Sequence, residues 1–167
     1  MVRVASLAAA VFALVGAVGA HAADWHSVEV GAVQLRVPAG WARVVPADPG
    51  DVSDPRTVLV VGTKGVTSRE SRCLVSSYRV PGDAAVVVVI AWKGAAAPDI
   101  PRTRDDLVEL RLTREYFECW LGRGGSAQIA VKGRAYQVNV LVGDRASAQT
   151  VQQALAIARS FAAAPAP

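Results

Sequence analysis

Apolar positions in this chain recur mostly at every second residue, the period of short β-strands. Val33, Leu35 and Val37 alternate with Gln34 and Arg36, Pro38-Ala39-Gly40 interrupts the run, and Trp41 to Val45 starts a second strand. Pro46 to Pro55 collects Pro, Asp and Gly and reads as a surface loop. Arg56 to Thr63 and Cys73 to Val80 read as further strands, with Pro81-Gly82-Asp83 as a turn. Ala84 to Trp92 holds four successive valines and Ile90. Beta-branched residues in so short a run predict a central strand buried on both faces. A loop over Lys93 to Arg104 follows. Val108, Leu110 and Leu112 then alternate with Glu109 and Arg111, which predicts another strand, continued over Glu115 to Leu121. Gly122 to Gly125 and Lys132-Gly133 read as hairpin turns. In Ala135 to Val142, Tyr136, Val138, Val140 and Val142 share one face, opposite Gln137 and Asn139.

The period changes after Ser147. Val151, Ala154, Leu155, Ala158 and Phe161 fall on one helical stripe, and Asp144 or Ser147 can cap its start. A sheet with an apolar face followed by one amphipathic helix is the layer logic of an α+β domain. The expected fold is therefore a mainly antiparallel sheet, a meander of about six to eight strands, with a C-terminal helix packed on one face over Leu107 to Val142.

The N-terminal pattern is of a different kind. Arg3 precedes an almost unbroken apolar run from Val4 to Ala20, and Ala20-His21-Ala22 has the small-x-small form of a signal-peptidase site. The organisation this predicts is a signal peptide over 1–22, one α+β domain over 23–162 and a disordered tail over 163–167. The whole Ala- and Pro-only stretch from Ala162 is expected to fray. Cleavage leaves a mature chain starting at Ala23, extracytoplasmic and without a transmembrane helix. An uncleaved signal anchor is the competing reading.

The net charge of +4 comes from 18 basic and 14 acidic residues. That surplus permits contact with anionic surfaces such as envelope polymers, but it is also ordinary solubility charge and does not argue for nucleic acid. Cys73 and Cys119 are an even count in an exported chain, which predicts a disulfide joining two strands.

Catalytic chemistry finds little support. His26 is the one histidine beyond the apolar leader, so a Ser–His–Asp or Cys–His arrangement lacks a convincing base. The Cys and His counts exclude the usual zinc sites. Asp48, Asp51 and Asp54 do not have the spacing of a calcium loop, and Gly122 to Gly125 does not precede a helix as a phosphate loop would. No cofactor is implied. Glu109, Glu115 and Glu118 share a region, and paired carboxylates suffice for a glycosidase, although Glu109 beside Arg111 also reads as solvated ion pairing. The best candidate binding patch is Arg102, Arg104, Arg111, Arg114 and Arg123 with Trp120, interleaved with Asp105, Asp106, Glu109 and Glu115. Trp120 alternates with Cys119 and is expected on the face opposite the bridge, where it could meet a ligand.

Leu35-Arg36-Val37-Pro38-Ala39-Gly40-Trp41 is similar to the opening of many secreted actinobacterial domains, including lipoproteins with a PsbP/Mog1-like fold. Phe117-Glu118-Cys119, then Gly133 to Val138 and a helix ending Ala158-Arg159-Ser160-Phe161, resembles a group of secreted proteins from high-GC Gram-positive bacteria. The resemblance implies export, a sheet-plus-helix fold and an upstream cysteine partner corresponding to Cys73. It brings no catalytic residues. Together these features point to a non-enzymatic exported domain that binds an anionic envelope polymer or another exported protein. An extracytoplasmic hydrolase using acidic residues and a structural envelope protein are the alternatives.

Overall fold

The computed structural model describes residues 24–48, 50, 53–71, 73–93, 104–114, 119–120 and 122–165. The proposed leader, Arg102, Glu115 and Glu118 lie outside them. Strand β7 (Ala85–Ala91) is buried along its whole length, as its valine run predicts. It is the middle of an antiparallel five-stranded sheet ordered β3-β4-β7-β9-β8, where β3 is Trp41–Arg43, β4 Arg56–Thr63, β8 Arg123–Val131 and β9 Arg134–Val142. Two cores form on its two faces. Ala85, Val87, Val89 and Ala91 join Leu59, Val61 and the apolar row of β9 in one. Val86, Val88 and Ile90 join Val60, Leu141, Tyr78 and Val75 in the other. Each fully buried valine contributes about 1.5–3 kcal/mol, so the strand favours a site covered on both sides.

The first face is covered by helix α2 (Ala148–Arg159) and by a second sheet ordered β1-β2-β10, comprising Trp25–Val30, Val33–Pro38 and Ala162–Ala163. The Ser147 hydroxyl accepts from the Thr150 N–H at 3.1 Å, capping α2 as expected. Ala154, Leu155, Ile157 and Ala158 point into the core, where α2 meets β7, β9 and β2. The other face is covered by the chain from Val66 to Val80, including a two-stranded ribbon of β5 (Thr67–Ser68) and β6 (Tyr78–Arg79). The fold is thus α+β and mostly antiparallel, but its ten described strands lie in three sheets. The large sheet is not a pure meander, because the chain leaves β7 for the edge strand β8 and returns inward as β9.

Four local expectations are corrected. Arg104–Glu109 is a short helix, α1, not part of a strand. Leu107 and Leu110 are buried three residues apart while Val108 is 59 % exposed, a helical pattern that the alternation of so short a segment also fits. Gly124 and Gly125 belong to β8, not to a turn. A Cβ at Gly125 would stand 2.1 Å from the Arg111 carbonyl, and Thr113 and Gly124 exchange backbone hydrogen bonds of 2.8 and 3.0 Å. Glycine here permits close passage of the 111–113 segment. Of the strand expected over Cys73 to Val80, only Tyr78–Arg79 forms. Cys73 N donates to Ser71 Oγ and Ser77 Oγ donates to the Cys73 carbonyl, local bonds that compete with a ladder. Finally, Ala162–Ala163 do not fray: they pair with β2, and Ala164 N donates to the Ala32 carbonyl.

Candidate binding cleft

In the sheet register Ala85, Val142 and Arg123 lie side by side. The start of β7, the end of β9 and the start of β8 therefore meet at one end of the sheet. Two loops are clamped there. Gly143 N donates to the Ala84 carbonyl at 2.9 Å and Arg145 N to the Gly82 carbonyl at 2.7 Å. The approach is so close that a Cβ on Gly143 would fall 2.2 Å from the Pro81 carbonyl oxygen. The Cys73–Cys119 disulfide, with Cα atoms 6.3 Å apart, brings a third segment to the same end. The cysteines sit in a bend and a turn, so the bridge joins two loops and not the two strands expected.

These segments enclose a cleft of about 490 Å³ walled by Arg69, Cys119, Trp120, Gly122, Asp144 and Arg145, among others. Trp120 lies against the second core with its indole over Gly122, where a Cβ would come within 2.6 Å of Nε1. Its Nε1–H donates to the Arg123 carbonyl at 3.2 Å. The ring is thereby held by one edge. Arg69 is fixed from behind, its backbone N donating to the Ser77 carbonyl and its Nε to the Ser76 carbonyl, both at 3.0 Å. Asp144 and Arg145 lean over Gly82, since a Cβ there would be 2.7 Å from both Asp144 Oδ1 and Arg145 Nη2. Next to the cleft, and sharing Gly122 and Asp144 with it, is a hollow of about 270 Å³ lined by Arg114 and Arg123. Arg123 Nε is itself buried without a hydrogen-bond partner, which is uncommon in folded proteins. Among the described residues, four arginines and one acidic residue, Asp144, line the two hollows.

The arginine patch read from sequence is thus divided. Arg114, Arg123 and Trp120 come together at the cleft. Arg104 does not: its guanidinium donates to the Phe161 and Arg159 carbonyls at 3.5 and 3.4 Å, a favourable place for a cation at the end of α2. Arg111 is exposed, with its carbonyl against Gly125. Trp120 lines the same cleft as Cys119 instead of facing away from the bridge. Arg69 and Arg145 were missed, although the disulfide placed Arg69, four residues before Cys73, within reach of Trp120.

The other candidates are dispersed. Glu109 is exposed on α1. Asp48 Oδ1 accepts from Gly50 N and Asp54 Oδ1 from Lys93 N. Among the described residues no three His, Cys, Asp or Glu side chains gather as a metal site. Trp41 is buried and donates to Gln153 Oε1 on α2. A further concavity of about 570 Å³ follows the β3 edge, lined by 40–45 and 62–68. The chain matches none of the protein-family models, curated proteins or solved structures with which it was compared. The disulfide fits an extracytoplasmic location, and among the described residues no helix is long and apolar enough to cross a membrane.

Proposed function

We propose that this is an exported domain that binds an anionic component of the cell envelope through the Trp120 cleft. The observation that carries this reading is the convergence of Arg69, Arg114, Arg123 and Arg145 on two adjoining hollows, one of them lined by Trp120, with Asp144 as the single carboxylate among the described residues. Guanidinium groups recognise planar or tetrahedral oxyanions through paired N–H donors. An aromatic face beside them adds contact without adding charge. The apolar leader and the disulfide support placement outside the cytoplasm.

Retention on isolated bacterial envelopes tests the reading. Arg114 and Arg145 are exposed, so replacing both with Gln removes charge without opening the core. Retention should weaken at least tenfold in that variant and should fall as salt rises, because exposed charges are screened within about 8 Å at physiological ionic strength. Arg134→Gln, at the far end of the β8–β9 pair, should bind normally. Retention indifferent to both salt and the double substitution would contradict the reading.

A further inference from the structure

Resting on that reading, we infer that the two hollows together take a phosphorylated sugar, with the phosphoryl group between Arg114 and Arg123 and the sugar ring on Trp120. The smaller hollow has the dimensions and donors for a compact dianion. Its volume is about 270 Å³ and its charged lining among the described residues is Arg114, Arg123 and, at the border, Asp144. A tetrahedral oxyanion can pair with two arginines that line one hollow, because its oxygens match the spacing of the guanidinium fork.

The larger hollow asks for something different. The Trp120 N–H is already committed to the Arg123 carbonyl, so this lining residue can meet a ligand through ring carbons and not through its N–H. That suits the flat C–H side of a sugar ring. Asp144 borders both hollows. Its carboxylate repels a phosphoryl group but accepts from hydroxyls, which places polyol on the Trp120 side. Arg145 and Arg69 line the same hollow and can donate to ring and hydroxyl oxygens. Arg123 joins the halves: it lines the phosphoryl seat while its carbonyl anchors the indole.

Calorimetric titration of the oxidised protein with glucose 1-phosphate, inorganic phosphate, glucose, glucuronate and uridine monophosphate tests the assignment. Glucose 1-phosphate should bind at least tenfold more tightly than each of the others. Arg114→Gln should weaken glucose 1-phosphate and inorganic phosphate alike, by about tenfold. Trp120→Leu should reduce glucose 1-phosphate to the level of inorganic phosphate and leave inorganic phosphate unchanged. Should Trp120→Leu fail to fold, Gly122→Ala displaces the indole without deleting it and should have the same selective effect. Equal binding of glucuronate would overturn the phosphoryl assignment, and tighter binding of uridine monophosphate would overturn the sugar. Indifference of glucose 1-phosphate to the folded Trp120 or Gly122 variants would overturn the stacking. If envelope retention still depends on Arg114 and Arg145 while no probe shows this preference, the inference fails and the broader reading stands. Loss of both would remove both.

Discussion

Phe161 has no exposed surface, and its ring centroid lies 5.3 Å from that of Tyr136 in a tilted pair. It closes the core where α2 ends, so Phe161→Ala should lower stability by roughly 3–5 kcal/mol, read from the denaturant midpoint. A midpoint like that of the parent would mean that the helix end is dispensable. Tyr78 makes a second prediction on the other face. Burial raises its phenol above the ordinary value of 10.0, opposed by the Ala47 N–H that donates to its hydroxyl. The unfolded chain therefore ionises first. The stability from this group is complete below about pH 10 and is lost as pH rises through the folded value. Tyr78→Phe should flatten that alkaline decline and cost about 1 kcal/mol at neutral pH for the lost acceptor. An unchanged alkaline slope would contradict the burial argument. Phe161 was legible from helical spacing alone. Gln137 and Asn139 were not, because polar residues opposite an apolar row read as a solvated face. Both are buried, with Gln137 Nε2 donating to Asn139 Oδ1 at 2.7 Å and Asn139 Nδ2 to the Val88 carbonyl at 3.2 Å. Only the tertiary partner distinguishes a satisfied buried amide from a wet one.

Among the elements, those whose period is set by burial were legible: β4 and β7 from their apolar runs, β9 from its alternation, and α2 from its stripe and its Ser147 cap. Elements set by other chain segments were not. The α1 segment is six residues long, too short for period two and period 3.6 to separate. The Gly124-Gly125 pair signals a turn and a close approach equally well. Gly125→Ala should therefore be as damaging as a core substitution, since its Cβ would meet backbone at 2.1 Å. Amide exchange should rise across α1 and β8, and protection equal to the parent's would show that the 111–113 segment is free to move away. The disulfide acts at this scale as well. Its loop of 46 residues limits the unfolded chain by about 4 kcal/mol on the chain-entropy model. Cys73→Ser with Cys119→Ser should lower stability by up to that amount and loosen the Trp120 segment before the sheet. Retained anion binding at full strength in the double variant would mean that the bridge does not order the cleft.

Over the whole molecule, one end of the five-stranded sheet gathers the features that remain unexplained by folding. Two loops cross without room for a Cβ, the bridge adds a third segment, and four arginines line two adjoining hollows beside an indole pinned by its own N–H. Half of this was legible in the sequence, where Trp120, Arg114 and Arg123 stand close together. Arg69 and Arg145 are remote in the chain and join them only through the bridge and through the β7–β9 register. The most direct test follows the backbone amide and indole N–H resonances while polyphosphate is added at low salt. The Trp120 indole signal and the amides of Gly82, Gly122 and Gly143 should shift together and return as salt is raised. Shifts confined to the β3 edge, or none at all, would contradict the assignment of the cleft as the binding site.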